Sequence, residues 1–279
     1  MSLWNFAKFI VGTSSVALLS ALALVYFFQR KLIYVPNYPT DRKKLFKPSD
    51  FGMAYEDVSL VSKDGIKLKG YFINGEKSDS CLIYCQANAG NIGHRLPISK
   101  SLINSLGVSV LMISYRGYGL SDGFPDEKGI KLDIEATVEY AITRCKNISF
   151  FGQSIGGAVA IHGALYCKLN NIRVQSIILE NTFTSIPDLI PHVLPWLAFF
   201  KSFCHQEWNS LKVLPQIKSI PCLLLSGKVD ELVPSYQMSI LKDNLDKCTF
   251  VEFEHGSHND TVMQKGYFQA IQKFFSSLE

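Results

Sequence analysis

Phe150-Phe151-Gly152-Gln153-Ser154-Ile155-Gly156-Gly157 reads as the end of a strand, a sharp turn and the start of a helix. The preceding Asn147-Ile148-Ser149 leads into an apolar, β-prone segment. The following Ala158-Val159-Ala160-Ile161-His162-Gly163-Ala164-Leu165 holds small and aliphatic residues suited to a buried helix. Between the two lies Gly-x-Ser-x-Gly, the nucleophile-elbow pattern. Its turn forces the serine into a strained backbone conformation that lifts Oγ above the sheet. Side chains at Gly152 and Gly156 would collide with that turn. The alternative is a glycine-rich turn with a bystander serine. A position between strand and helix favours a nucleophile at Ser154.

Working outward, strands and helices alternate. Ala54 to Val61 and Ile66 to Ile73 flank Ser62-Lys63-Asp64-Gly65, and Asp-Gly is a strong hairpin signal. Strands are expected at Cys81–Cys85, Val108–Ser114, Ile148–Phe151, Val174–Leu179, Cys222–Leu225 and Thr249–Phe253. Helices are expected at Leu96–Leu106, Ile130–Arg144, Met238–Leu245 and Tyr267–Leu278. A leading hairpin followed by repeated strand–helix units predicts an α/β fold: a mostly parallel sheet with helices on both faces. Residues 182–214 break the alternation with Pro187, Pro191 and Pro195 and with bulky Trp196, Phe199, Phe200 and Phe203. This predicts a short helical cap above the carboxyl ends of the strands, where open α/β sheets bind ligands.

The 279 residues, 47% hydrophobic and 19% charged, suffice for one such domain over 51–279. The net charge is +4, but Lys8, Arg30 and Lys31 lie in the first 31 residues, which hold no acid. That leaves 25 of the 28 basic residues against all 24 acids, so no nucleic-acid partner is expected. The seven cysteines follow neither a metal-ligand nor a disulfide-framework spacing, which favours a reducing compartment.

Phe9 to Phe28 is uncharged, and twenty helical residues span about 30 Å, a bilayer core. Trp4 and Phe6 before it, and Tyr26-Phe27-Phe28-Gln29-Arg30-Lys31 closing it, suit membrane interfaces. Ala21-Leu22-Ala23 resembles a signal-peptidase site, but the apolar run continues past it. A retained single-pass anchor over 1–31, joined by a linker over 32–50, is therefore expected. Basic residues at 30, 31, 42, 43, 44 and 47 place the domain on the cytoplasmic side, with the endoplasmic reticulum as the expected endomembrane. Pro36, Pro39 and Pro48 mark an extended connector. The glycosylation patterns at Asn147 and Asn259 are expected to go unused.

A serine hydroxyl needs a base, and the chain order for this elbow is Ser…Asp/Glu…His. Asp230 follows the strand ending at Leu225, and His258 follows the strand ending at Phe253. Both loops open on the same sheet edge as Ser154. Glu231 and Glu180 are the weaker candidates for the acid, and His255 the weaker candidate for the base. The remaining histidines, His94, His162, His192 and His205, have no nameable acid partner in the sequence.

Asn88-Ala89-Gly90-Asn91-Ile92-Gly93-His94-Arg95, Tyr115-Arg116-Gly117-Tyr118-Gly119, Gly152 to Ala160, Glu180-Asn181-Thr182-Phe183 and His258-Asn259-Asp260-Thr261 together resemble the Bem46-like α/β-hydrolases over nearly the whole chain. The resemblance implies an α/β-hydrolase fold, an amino-terminal anchor, and a triad falling on Ser154, Asp230 and His258. By position, the loop after the third strand is expected to supply one oxyanion-hole N–H, at Asn88, and Ile155 the other. Related proteins carry His-Gly where this chain has Gln86-Ala87. A positive φ at Ala87 would be strained, and loss of one oxyanion donor costs roughly a hundred- to a thousand-fold in rate. The expected activity is serine hydrolysis of an ester or thioester, on a lipid or acyl-protein substrate, with no metal or organic cofactor. The alternative is a catalytically weak, membrane-tethered scaffold of the same fold, linked to cell polarity.

Overall fold

The computed structural model describes residues 4–5, 20 and 22–278. Eight strands form one sheet: β1 (Tyr55–Val61), β2 (Lys67–Ile73), β3 (Lys77–Cys85), β4 (Val108–Ile113), β5 (Asn147–Gln153), β6 (Val174–Glu180), β7 (Cys222–Gly227) and β8 (Cys248–Phe253). Their order is β1-β2-β4-β3-β5-β6-β7-β8. β2 pairs antiparallel with both β1 and β4, and every pair from β4 to β8 is parallel. The Asp64-Gly65 turn joins β1 to β2, with Gly65 at φ 85°. The expected mostly parallel sheet is thus observed.

Residues 22–33 are helical (α1). The others are α2 (Leu96–Leu106), α3 (Glu127–Arg144), α4 (Ile155–Leu169), α5 (Ile186–Val193), α6 (Ser210–Ile217), α7 (Tyr236–Asp243) and α8 (Tyr267–Ser276). The sheet separates two cores. On one side Phe150, Ile177 and Leu224 pack with residues of α3, α4, α6 and α7, among them Ile134, Val159, Leu214 and Leu241. On the other side Phe151, Ile178 and Leu223 pack with α2 and α8 through Leu96, Leu102, Ile271 and Phe274. Strands buried on both faces read as continuous apolar runs, and the burial of β4, β7 and most of β5 follows that rule.

The anchor expected over 9–28 lies largely outside the described residues. Among those described, no helix is long and apolar enough to cross a membrane. The connector runs against the domain. Val35 bridges in parallel to Ala89, and Arg42 Nη1 donates to the carbonyls of Gly119 and Ser121. The cap consists of α5 and a 3₁₀ segment, Pro195–Phe203.

Candidate active site

Ser154 sits between β5 and α4 with φ 55° and ψ −123°, a conformation that costs a non-glycine residue about 1–3 kcal/mol. Neighbours hold it there. Its N–H donates to the Glu180 carbonyl at 2.9 Å. Its carbonyl accepts from the Gly157 N–H at 2.9 Å and from Thr182 Oγ1 at 2.7 Å. The turn has no room for side chains at the two pattern glycines. A Cβ on Gly156 would lie 2.1 Å from the Cys85 carbonyl oxygen, and one on Gly152 would lie 2.3 Å from that of Gly156.

The loops after β7 and β8 bring Asp230 and His258 to this point. His258 Nε2 is 3.1 Å from Ser154 Oγ, and His258 Nδ1 is 2.8 Å from Asp230 Oδ2. All three side chains are buried. An ionised carboxylate only accepts, so Nδ1 carries the proton of the neutral imidazole and Nε2 is left to accept the serine proton. Asp230 Oδ1 accepts the N–H groups of Leu232 and Val233 at 2.8 and 2.7 Å, which fixes the carboxylate without using the oxygen facing the histidine.

Two residues hold the histidine loop: Glu231, read from sequence as a weaker candidate for the acid, and Asn181, to which the sequence assigned no role. Glu231 Oε2 accepts the His258 N–H at 3.2 Å. Asn181, at φ 45°, donates through Nδ2 to the carbonyls of Ser257 and His258 and to Thr261 Oγ1. Its Oδ1 accepts the Gly227 N–H at 2.8 Å. One side chain thereby pins the histidine loop to the end of β7. Asparagine tolerates the left-handed region better than most residues, which was its only local signal.

Glu180 does not take the place of the acid at His258, whose Nδ1 faces Asp230. Its carboxylate accepts from Tyr267 Oη at 2.5 Å and Gln153 Nε2 at 3.2 Å beneath the elbow. Burial pushes its pKa up to about 7, opposed by Tyr267, His258, Arg95 and Gln153. His255 is exposed. His162 does meet an acid, Glu135 at 3.4 Å, but across the α3–α4 contact. His94 meets Thr40, and His192 meets the Glu231 carbonyl.

Asn88 and Ile155 line the same cavity as Ser154 and His258. Ile155 opens α4, so its N–H lacks an intrahelical acceptor. Asn88 is held by its other polar groups. Its carbonyl accepts from the Val35 N–H at 3.1 Å and Tyr118 Oη at 2.7 Å, and its Nδ2 donates to the Ile33 carbonyl at 2.9 Å. The strain conditionally expected at Ala87 does not arise. Among the described residues, positive φ outside glycine falls on Ser154, Asn171, Asn181 and Trp208. In the 86–91 loop it falls on Gly90, at 78°. Gln86 is buried, and its side-chain amide has no hydrogen-bond partner among the described residues.

No protein-family model matches the chain. It is 40% identical over 286 aligned residues to the protein bem46 of Schizosaccharomyces pombe, covering 99% of this chain and 95% of that one. It is 38% identical to the α/β-hydrolase domain-containing protein WAV2 of Arabidopsis thaliana, covering 88% and 86%. An uncharacterised membrane protein of Saccharomyces cerevisiae is 36% identical, covering 98% and 97%. Among solved structures, an esterase of Pyrococcus furiosus superposes with a TM-score of 0.69 at 22% identity, covering 83% of this chain and 94% of that chain. An α/β-hydrolase of Vibrio vulnificus gives 0.70 at 21%, covering 84% and 88%.

Proposed function

The chain belongs to the Bem46-like α/β-hydrolases, and from that membership we propose that it is a membrane-anchored serine hydrolase cleaving esters or thioesters. One observation carries the reading: a single buried imidazole bridges the strained Ser154 hydroxyl and the Asp230 carboxylate, with both hydrogen bonds formed.

In this reading Ser154 Oγ attacks the substrate carbonyl while its proton passes to His258 Nε2. Asp230 keeps Nδ1–H oriented and stabilises the imidazolium. The N–H groups of Asn88 and Ile155 receive the developing oxyanion. Collapse breaks the acyl–oxygen or acyl–sulfur bond, and the proton on Nε2 goes to the leaving alcohol or thiol. Water then attacks the acyl-serine, gives its proton to His258 and releases the carboxylic acid, returning the proton to Ser154. The steps call on no metal or organic cofactor. Ala87 has no positive φ, so the strain argument for a weakened oxyanion loop falls away, which supports the hydrolase reading over the scaffold.

Membrane attachment rests on the uncharged run Phe9–Phe28 and its aromatic and basic flanks, and is consistent with a yeast relative described as a membrane protein. A fluorophosphonate probe tests the chemistry. Wild-type protein should be labelled and Ser154→Ala should not. Failure of the wild type to react beside an active hydrolase control, or equal labelling of the variant, would leave the scaffold reading in its place.

A further inference from the structure

The cavity above Ser154 has a volume of about 610 Å³, in the range that holds a sizeable organic ligand. Much of its apolar lining comes from α1 and the cap. Val25, Leu32 and Ile33 of α1 and Leu189, Ile190 and Phe200 of the cap line it together with Ser154 and His258. Among the described residues, no Asp, Glu, Lys or Arg lines it. Two of its polar side chains are already engaged. Gln29 accepts the His205 N–H and donates to the Phe203 carbonyl, which clamps α1 to the cap, and the Asn88 amide donates to Ile33. A charged headgroup, peptide or cofactor would therefore lose its hydration there without compensation. A hydrocarbon chain would lose nothing.

The surroundings point the same way. Phe27 and Leu32 of α1 and Phe203 of the cap line the cavity yet are also exposed, and Trp196 and Phe199 of the same 3₁₀ segment are exposed too, Phe199 to 96%. The uncharged sequence Phe9–Phe28 shares residues 22–28 with α1, so α1 continues the same apolar stretch of sequence. A bilayer holding that sequence would adjoin an apolar rim, and an apolar chain could pass between the two without crossing water.

Resting on the serine-hydrolase reading, we infer that this cavity is an acyl-chain site lined in part by the anchor helix. The substrate is then an ester or thioester of a long, unbranched acyl chain that resides in the membrane. The chain lies between α1 and the cap, its carbonyl reaches Ser154, and the alcohol or thiol part stays outside. The products are a fatty acid and the freed alcohol or thiol, after the acyl-transfer and water steps given above. The anchor helix is thus part of the specificity device as well as a tether.

The test uses full-length protein in detergent micelles and p-nitrophenyl esters from butyrate to palmitate. Each methylene buried in a matching site favours the longer substrate by about three- to fourfold, so kcat/KM should climb steeply with length before levelling. Val25→Trp on α1 and Ile190→Trp on the cap each narrow the cavity. Each should lower the palmitate-to-butyrate ratio of kcat/KM at least tenfold relative to wild type, with folding checked by labelling with a short-chain fluorophosphonate. In a second arm, protein in phosphatidylcholine vesicles is given either a fatty-acyl ester lipid or an S-palmitoyl peptide. Cleavage of either supports the inference and identifies the source of the chain. A flat or falling length series, or short-ester activity with neither long-chain substrate cleaved, overturns the acyl site and leaves the hydrolase reading standing. Absence of any probe labelling would instead remove the hydrolase reading itself.

Discussion

Glu180 supports the elbow through its carbonyl, which accepts the Ser154 N–H, while its carboxylate is buried between Tyr267 and Gln153. Burial is the dominant cause of its raised pKa, from an ordinary 4.5 to about 7. The sign follows directly. Below pH 4.5 both folded and unfolded chains hold the proton, and the contribution to stability is complete. As pH rises towards 7 the unfolded chain gives up the proton first, so stability falls, by at most about 3 kcal/mol once the folded carboxyl has also ionised. A protonated Glu180 also has an acceptor within reach. Gln153 Oε1 has no partner in its present orientation, and turning the amide over would present it to the acid. Glu180→Gln cannot titrate. The difference in Tm between wild type and variant should therefore shift against the wild type between pH 5 and pH 8. A difference that stays constant over that range would show that Glu180 titrates normally. From sequence this residue was legible as a carboxylate ending a strand and a weaker candidate for the triad acid, and nothing pointed to its burial. Its burial comes from Tyr267, 87 positions away, which no local pattern connects to it.

At the scale of elements, the hairpin, the parallel strands and the elbow were legible because each has a local cause: Asp64-Gly65, continuous apolar runs, and Gly152 with Gly156 around Ser154. Boundaries were less so. α4 runs from Ile155 to Leu169, further at both ends than the segment Ala158–Leu165 read as helical, and the strained serine itself serves as the residue flanking its start. Asp230 and His258 were legible from chain order and strand ends, whereas Asn181 and Glu231 act through loops that meet only in the fold. The connector after α1 is the clearest case. Its prolines told of extension, but not of what it touches. Buried Tyr34 accepts from Trp208 Nε1 at 2.8 Å and donates to Gln206 Oε1 at 3.0 Å, across 174 and 172 positions. This joins the end of α1 to the end of the cap, and Gln206 in turn accepts the Glu127 N–H at the start of α3. Tyr34→Phe leaves the indole N–H buried without its acceptor, at a cost of about 1–3 kcal/mol. Thermal unfolding should show Tm lowered by about 2–10 °C. An unchanged Tm would mean that the stitch contributes nothing to holding the connector.

For the whole molecule, the proposed membrane anchor makes the side on which the domain lies a testable consequence of the charge pattern. Arg30, Lys31, Arg42, Lys43, Lys44 and Lys47 follow the uncharged run and only Lys8 precedes it, so positive charge concentrates on the domain side. Such charge is retained in the cytoplasm. Part of it is also used by the fold: Arg30 lies 3.3 Å from Asp126, and Arg42 bonds the loop carbonyls of residues 119 and 121. These residues therefore have a structural reason to be basic, and orientation needs a test of its own. Asn259 supplies one. It belongs to an Asn-x-Thr pattern, is exposed, and follows His258 directly. In the lumen it would be open to glycosylation at the mouth of the site. On the cytoplasmic side it never meets the transferase. Full-length protein from cells should accordingly keep its mobility after treatment with an N-glycosidase, and in sealed microsomes a carboxyl-terminal tag should be lost to added protease without detergent. A glycosidase-sensitive shift that Asn259→Gln abolishes, together with a tag protected until detergent is added, would put the domain in the lumen and overturn the charge argument.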